Sequence, residues 1–230
     1  MFEYIFFDWD NTLWDFSLNS KLSLIEVYEK FDLKFLCSSS DEFLNVYHKI
    51  NDNLWADYRN GKISKDFLIK SRFNDTFNHF GYENIELSLK CNDYYLEATV
   101  DKTAMVDGAV EILNMLSKRG KKLYVVTNGF NEVQHRKIRN SGVSHLFDKI
   151  IISDMAGALK PSKEFFDYAF KTTGADKEKS LLIGDDPQAD IAGAALYGLK
   201  SVYFNRFSIP CAYPHDFEIN SLSRLSEIVC

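Results

Sequence analysis

Residues 4–12 read Tyr-Ile-Phe-Phe-Asp-Trp-Asp-Asn-Thr, a short apolar run followed at once by acids at positions 8 and 10. The run Tyr4–Phe7 is typical of a strand buried on both faces of a parallel sheet. Side chains two residues apart on an extended segment point the same way, so Asp8 and Asp10 share a direction. Placing two carboxylates together at the end of a buried strand costs free energy unless a cation or a reaction uses them. Asp and Asn also favour turns, so Asp8–Thr12 could instead cap a helix.

Strand-like and helix-like segments alternate from residue 104 onward. The compact apolar runs are Leu123–Val126, Lys149–Ser153, Leu181–Ile183 and Ser201–Phe204, and the predicted helices span 108–119, 131–141, 162–173 and 187–197. Alternation of this kind indicates βαβ units wound on both faces of a parallel sheet. The sequence therefore predicts an α/β fold with a Rossmann-like, doubly wound parallel sheet, built from residues 1–15 and 104–230.

The intervening segment, residues 16–103, has apolar residues at helical spacing and no comparable buried strand. Asn60-Gly61 is a turn signal, and Ser38–Asp41 precedes Glu42 in the pattern of a helix N-cap. We therefore predict an all-helical domain inserted directly after the first strand. Aromatic residues are barely enriched in this segment, so most of its rings are expected to pack its own interior.

The charge balance and the hydropathy pattern exclude several classes of protein. The 27 Lys and Arg against 33 Asp and Glu give a net charge of −6, which leaves no positive surplus for a nucleic-acid backbone. No stretch approaches the roughly 18 apolar residues of a membrane span, and the acid at Glu3 does not suit a signal peptide. We expect a cytoplasmic protein with neither nucleic acid nor membrane as partner.

The four cysteines lie far apart and show no metal-ligand spacing. They are expected to be buried or idle thiols in a reducing compartment: Cys37, Cys91, Cys211 and Cys230.

Polar residues follow each of the later predicted strands. Thr127-Asn128-Gly129 ends the second strand and offers a hydroxyl and backbone amides to an oxyanion, and Lys160 comes after the third. Gly184-Asp185-Asp186 ends the fourth strand, with Asp190 beyond it. Each feature alone is an ordinary turn, a solvated lysine or an acidic cap. Because ligands bind at the carboxyl ends of the strands in open α/β sheets, their succession predicts one site.

In type, order and spacing these residues resemble the four motifs of the haloacid dehalogenase-like (HAD) hydrolase superfamily. The matching positions are Asp8–Thr12, Thr127, Lys160 and Gly184–Asp190. The resemblance covers essentially the whole chain and implies a Rossmann-like core with a helical cap, which residues 16–103 would form. Within the superfamily the chain looks most similar to the 5′-nucleotidase branch, which includes pyrimidine nucleotidases. That finer resemblance rests on Trp14, Leu54-Trp55, Gly61–Ile63, Arg72-Phe73 and Thr127–Phe130.

The resemblance implies a Mg²⁺-dependent phosphatase in which Asp8 is the nucleophile and becomes an aspartyl-phosphate. Asp8, Asp185 and the backbone carbonyl of Asp10 would hold the Mg²⁺ ion through hard oxygen ligands. The Asp10 side chain would protonate the leaving oxygen and later activate water. Lys160 would neutralise the remaining negative charge.

Phosphoryl oxygens would be bound by Thr127 together with backbone amides near Asn11 and Asn128. Thr12 and Gly129, which belong to the same two motifs, are also expected in the substrate-binding set. Asp186 and Asp190 look like groups that orient metal-bound water or Lys160. Asp190 could equally be a plain acid in the first turn of the helix 187–197, where the helix dipole favours it.

The helical insertion is expected to select the substrate. Gly61 could let the backbone approach the active site at a helix–helix turn. The candidates for contact with a base or a sugar are Trp55, Tyr58, Arg59 and Arg72.

The expected substrate is a small phosphorylated metabolite, with nucleoside 5′-monophosphates first among the alternatives. Sugar-phosphate or phosphoglycolate phosphatase and phosphomutase remain open, as does the oligomeric state. A 2-haloacid dehalogenase would use the first aspartate but needs neither a metal nor an acid two positions later, so Asp10 favours phosphoryl transfer. A non-catalytic phosphoryl-binding protein would be indicated by loss of a motif residue, and none is lost.

Overall fold

A computed structural model describes residues 1–229 of the chain. In this part of the chain the strands are β1 Tyr4–Phe7, β2 Lys122–Thr127, β3 Lys149–Ile152, β4 Ser180–Gly184, β5 Lys200–Phe204 and β6 Phe217–Ile219. They form one sheet in the order β3-β2-β1-β4-β5-β6, and every neighbouring pair is parallel. The predicted doubly wound α/β fold is confirmed.

The α-helices of the described chain lie between these strands, apart from α10, which follows β6. Their bounds are α1 Phe16–Lys30, α2 Ser40–Arg59, α3 Lys65–His79, α4 Ile85–Val100, α5 Ala109–Lys118, α6 Asn131–Asn140, α7 Ser153–Ala156, α8 Lys163–Thr173, α9 Ala192–Tyr197 and α10 Leu225–Val229. Contacts divide the chain into two compact units. One consists of Met1–Phe16 and the chain from Thr103 onward, and the other is Ser17–Lys102.

The central strand β1 is buried on both faces, as its apolar sequence predicts. Ile5 and Phe7 pack into one hydrophobic cluster, together with side chains of α5, α6 and α10. Phe6 points to the opposite face and packs into a second cluster with side chains of α8 and α9. Helices therefore cover both faces of the sheet, which leaves its strand ends as the place where polar side chains can gather.

The unit Ser17–Lys102 is helical and has a hydrophobic core of its own. Most of the large side chains in that core are aromatic: Tyr28, Phe43, Tyr47, Phe73, Phe77 and Tyr95. Ser39 caps α2 by accepting a hydrogen bond from the backbone N–H of Glu42 at 3.2 Å, as the Ser38–Asp41 pattern predicts. Helix α2 ends before Gly61, which takes a positive φ of 68° in the predicted turn.

Three features of the α/β unit differ from the sequence prediction. Ser153 begins the short helix α7 instead of ending β3. The segment predicted as one helix over 187–197 is a wide, π-type turn at Pro187–Ile191 followed by α9. Strand β6 was not predicted because it has only three residues, of which Phe217 and Glu218 are exposed, and so leaves no apolar run.

No helix among residues 1–229 combines the length and apolar character that a bilayer crossing requires. Cys37 and Cys91 are buried in the helical unit, Cys211 is partly exposed, and all three are free thiols. Cys230 lies outside the described residues.

Candidate active site

The candidate site lies where the order of the strands reverses. Strand β1 sits between β2 and β4, so Phe7 has Val125 on one side and Ile183 on the other. Asp8 continues the ladder beyond β1, because its backbone N–H donates to the carbonyl of Ile183 at 2.9 Å. The ends of these three neighbouring strands thus carry the polar residues that the sequence places after them. Such a switch point is where ligands bind in open α/β sheets.

Lys160 forms the charged centre of this cluster. Its Nζ donates to Asp8 Oδ1 at 2.7 Å, to Asp190 Oδ1 at 2.6 Å and to the carbonyl of Val126 at 2.9 Å. An ammonium group has three N–H donors, and all three are therefore used. Burial alone would lower the pKa of Lys160, but the negative charges of Asp190 and Asp8 reverse this effect and raise that pKa above its usual value. The lysine is consequently charged at neutral pH.

Three carboxylates crowd around that lysine. Ligand oxygens of Asp8, Asp185 and Asp190 all lie within 4.8 Å of one another. Burial raises the pKa of Asp8 to about 8, with Lys160 opposing the rise and the charge of Asp190 adding to it. Burial, followed by the charges of Asp8 and Asp190, raises the pKa of Asp185 well above its usual value. In the absence of a further cation, the cluster favours bound protons.

The carboxylate of Asp190 is fully used inside the protein. One oxygen accepts from Lys160, and the other accepts from the backbone N–H of Asp186 at 3.1 Å. Gly184 makes room for it, since a Cβ at that position would lie 2.3 Å from the Asp190 carboxyl group. Of the two interpretations of Asp190, the geometry agrees with the one in which it orients Lys160.

Asp186 closes the same turn. Its Oδ1 accepts from the backbone N–H groups of Gln188 and Ala189 at 2.8 and 2.9 Å. These hydrogen bonds hold the wide turn that carries Asp190 back toward Lys160.

Asp8 and Asp185 are the carboxylates that fit a metal ion. Asp185 is held by Thr12, whose hydroxyl donates to Asp185 Oδ1 at 2.9 Å. The Asp8 carboxylate is buried and that of Asp185 is partly exposed, and both have strongly raised pKa values. Together they are a hard, negative oxygen set of the kind Mg²⁺ prefers, and a divalent cation would relieve their mutual repulsion. The donor chemistry therefore fits a magnesium ion at this strand end.

The carboxylate of Asp10 faces a different set of groups. Gln134 Nε2 donates to Asp10 Oδ2 at 2.8 Å, and Lys137 Nζ lies 3.2 Å from Asp10 Oδ1. Both residues are on α6, and neither was predicted from the sequence. Their signal is nevertheless present: the buried stripe of α6 contains two polar residues beside Val133 and Ile138. Polar side chains in the buried stripe of an amphipathic helix need partners, which here include a predicted catalytic acid.

Thr127 is oriented by two donors. Its Oγ1 accepts from the backbone N–H of Gly129 at 3.1 Å and from Gln134 Nε2 at 2.8 Å. With its acceptor sites occupied, the hydroxyl keeps its own hydrogen for donation to another group.

Several groups expected to bind substrate form hydrogen bonds inside the protein. The Asn11 N–H donates to the carbonyl of Trp14 at 2.8 Å, in a tight loop where Asn11 has a positive φ of 63°. The Thr12 hydroxyl is buried on Asp185, and the Gly129 N–H is used on Thr127. These residues close turns and position acids, because the sharp bend after each strand must satisfy its own backbone first.

The Asn128 side chain also has an internal role. Its Oδ1 accepts from the Lys160 N–H at 2.8 Å, and its Nδ2 donates to the Lys160 carbonyl at 2.9 Å. The amide thus fixes the backbone of the lysine that touches Asp8.

The candidates in the helical insertion occupy different surroundings within that unit. Arg72 is buried, and its Nε donates to Asn92 Oδ1 at 2.8 Å. The rings of Trp55 and Tyr58 meet edge to face with centroids 5.8 Å apart and remain partly exposed, as does Arg59. The exposed Gly61 ends the turn after α2.

Comparison with known proteins finds similar sequences over most of the chain. The family model for haloacid dehalogenase-like hydrolases matches residues 2–198. Pyrimidine 5′-nucleotidase YjjG of Escherichia coli is 30% identical over 231 residues, covering 99% of this chain and 98% of that protein. Pyrimidine 5′-nucleotidase PynA of Streptococcus pneumoniae is 30% identical over 205 residues, covering 89% of this chain and 84% of that protein.

A solved structure has the same fold over nearly its full length. It is that of the HAD-hydrolase YfnB from Bacillus subtilis bound to magnesium, with a TM-score of 0.90 and 29% identity. The match covers 99% of this chain and 98% of that one.

Proposed function

The chain belongs to the haloacid dehalogenase-like hydrolase family, and from that premise we propose that it is a Mg²⁺-dependent phosphatase of the cytoplasm. Its substrates are small phosphate monoesters, and nucleoside 5′-monophosphates are the class we favour. The single observation that carries this proposal is the position of Asp8, held at the end of β1 by Lys160 with Asp185 beside it.

In the proposed reaction an oxygen of Asp8 attacks phosphorus as the bond from phosphorus to the ester oxygen breaks. Asp10 gives its proton to the departing oxygen, so the alcohol leaves neutral and Asp8 carries the phosphoryl group. Water then attacks the phosphorus atom and gives a proton to Asp10, while the bond between phosphorus and the Asp8 oxygen breaks. Inorganic phosphate leaves, and both aspartates return to their starting states.

Like charge opposes the first step, because a carboxylate must approach a phosphate that is itself negative. Lys160 reduces this repulsion and holds the attacking carboxylate in place. Thr127 offers its remaining hydroxyl hydrogen to a phosphoryl oxygen, and we keep the backbone amide of Asn128 as a second donor. A Mg²⁺ ion held by the Asp8 and Asp185 carboxylates and the Asp10 carbonyl would neutralise negative charge on the phosphoryl group.

Support for nucleotides comes from the relatives and from the helical unit. YjjG and PynA are both named pyrimidine 5′-nucleotidases, and each aligns with most of this chain. The partly exposed pair Trp55 and Tyr58 supplies flat aromatic faces of the kind on which a base stacks. We propose that the helical unit acts as the cap that selects the substrate.

The first test is release of inorganic phosphate from a panel of nucleoside monophosphates, sugar phosphates and phosphoglycolate, with Mg²⁺ and then with EDTA. We expect metal-dependent release that is fastest with nucleoside monophosphates. Asp8→Asn should lower kcat by about 1,000-fold or more, because the nucleophile is lost. Asp167→Asn, which alters an exposed aspartate of α8 paired with Lys163, is the matched control and should keep full activity.

Different failures of this test have different meanings. Activity that survives either EDTA or Asp8→Asn would contradict the mechanism. A preference for sugar phosphates or phosphoglycolate would contradict the nucleotide assignment and leave the mechanism standing.

A further inference from the structure

We propose that Gln134 and Lys137 are positioning residues that hold the Asp10 carboxyl group in the orientation needed for proton transfer. This inference rests on the proposed function, because it concerns the acid that protonates the leaving oxygen. It is carried by contacts within the α/β unit, between helix α6 and the loop that follows β1.

Through one nitrogen atom, Gln134 joins the predicted acid Asp10 to Thr127, the predicted hydrogen-bond donor to the phosphoryl group. Its Nε2 lies 2.8 Å from Asp10 Oδ2 and also 2.8 Å from Thr127 Oγ1. An amide nitrogen carries two hydrogens, so one can serve each oxygen. The residue is 1% exposed, so both hydrogen bonds of the amide are shielded from bulk solvent.

Gly129 leaves space for this bridge. A Cβ at position 129 would lie 2.4 Å from both Cδ and Nε2 of Gln134. Side-chain atoms never approach a Cβ so closely, so any residue other than glycine would displace the amide from Asp10 and Thr127.

Lys137 holds the same loop at a second point. Its Nζ lies 3.2 Å from Asp10 Oδ1 and 4.1 Å from the centre of the Trp14 ring, and the residue is 5% exposed. Trp14 closes the loop that contains Asp10, since its carbonyl accepts from the Asn11 N–H and its own N–H donates to the Trp9 carbonyl. The ammonium group therefore binds the acid and the aromatic wall of its loop together.

The chemistry of the two donors suits a residue that must give up a proton. An amide NH₂ and an ammonium group only donate, so neither can accept the acidic proton of Asp10. Each carboxyl oxygen keeps one acceptor site on the side away from these donors. A proton carried by Asp10 must lie on that other side, where the leaving oxygen or the attacking water can exchange it.

The test compares two substrates that differ in how much they need an acid. A nucleoside 5′-monophosphate has a strongly basic alkoxide as its leaving group, whereas p-nitrophenyl phosphate has a stable phenolate. The parameter kcat/KM covers the steps up to departure of that group. For Gln134→Met and Lys137→Met, which keep side-chain volume, we expect kcat/KM to fall about 100-fold with the nucleotide and about threefold or less with p-nitrophenyl phosphate.

Matched variants check the assignment. Lys163→Met removes an exposed ammonium group of α8 and should leave kcat/KM unchanged with both substrates. Gly129→Ala should reproduce the unequal loss of Gln134→Met, because its methyl group displaces the same amide. Lys137→Met and Gly129→Ala carry the test if Gln134→Met does not fold, as judged by thermal melting.

Equal losses of kcat/KM with the two substrates would show a merely structural role and would overturn the proposal. An unchanged kcat/KM in the variants would overturn it as well. Wild-type protein that releases phosphate from neither compound would instead overturn the proposed function, and this assignment with it.

Discussion

The Lys160 ammonium group illustrates how closely single residues determine this site. It is 1% exposed and binds two carboxylates whose own burial raises their pKa values. A buried ion cluster of this kind adds little net stability, because desolvation of the charges offsets their attraction. Breaking it is costly all the same, since the remaining charges stay buried. A residue that only supports Lys160 should therefore matter as much as one that touches substrate.

Gly184→Ala tests whether a residue that only supports Lys160 matters, because glycine has no functional side chain of its own. The added methyl group would lie 2.3 Å from the Asp190 carboxyl group and force it away from Lys160. We expect a loss of about 1–3 kcal/mol in the free energy of unfolding, measured in urea, and at least about a tenfold fall in kcat.

Gly142→Ala is the control for backbone effects. Gly142 has a positive φ of 78°, and a Cβ there meets no atom within 4 Å. The substitution should cost about 1 kcal/mol through backbone strain and leave kcat unchanged. Full activity of Gly184→Ala would show that Asp190 can move without affecting Lys160.

Among the elements, the end of β2 and the turn before α8 are joined by one side chain. Both hydrogen bonds of the Asn128 amide go to the backbone of Lys160. Without them, the backbone of Lys160 loses two hydrogen bonds to the end of β2, and the bond from Lys160 Nζ to the Val126 carbonyl remains. The amide therefore links two βαβ units at the point where their polar ends meet.

Asn128→Ala should loosen that link. We expect the free energy of unfolding to fall by about 1–3 kcal/mol, because a backbone donor and a backbone acceptor of Lys160 lose their partners. A fall in kcat of about tenfold or more should accompany it, measured as phosphate release at saturating substrate. Asn114→Ala, on the exposed face of α5, is the matched control and should leave kcat unchanged. A stable Asn128→Ala protein with full kcat would contradict the linking role.

The sheet elements were predictable to the extent that burial leaves an apolar run in the sequence. Tyr4–Phe7 is a continuous apolar run that is buried from Ile5 to Phe7, and the flanking strands β2 and β4 contain the apolar runs Leu123–Val126 and Leu181–Ile183. Strand β6 has no such run because two of its residues face solvent. Periodicity predicts ordinary helix at the wide turn Pro187–Ile191. It does not reveal the turn, because the turn is held by hydrogen bonds to the Asp186 side chain.

The candidate site was predictable where a residue type is rare in its context. Acids at strand ends, such as Asp8 and Asp185, stand out because buried carboxylates need a reason. Gln134 and Lys137 do not stand out, because polar residues are common on helices and only the packing of α6 shows that these two are buried. The internal roles of Thr12 and Asn128 likewise depend on contacts between segments far apart in the chain.

At the scale of the whole molecule, the acidic cluster couples stability to pH and to metal. The pKa of Asp8 is raised from 3.8 to about 8, and that of Asp185 is raised as well. The folded protein therefore binds protons that the unfolded chain has released. The contribution of these raised pKa values to the free energy of unfolding is fully present below about pH 4 and is lost as the pH rises toward 8.

Magnesium should reverse that loss. We expect the metal-free protein to melt at a lower temperature at about pH 8.5 than at about pH 5.5, and Mg²⁺ to raise Tm more at the higher pH, where the carboxylates have lost their protons. Thermal melting with and without MgCl₂ measures both effects. Asp185→Asn should shrink the difference between the two pH values, because one titrating ligand is gone. An increase in Tm of equal size at both pH values would contradict the coupling.

The place of β1 in the sheet also has a consequence for synthesis on the ribosome. Among the described strands, β1 is translated well before its two neighbours, Lys122–Thr127 and Ser180–Gly184. The helical segment Ser17–Lys102 is translated in between and can complete its own core early. Until those neighbours are made, the nascent chain carries the apolar residues Ile5, Phe6 and Phe7 without a partner strand. The insertion lengthens that interval, during which a chaperone has access to the strand that ends at Asp8.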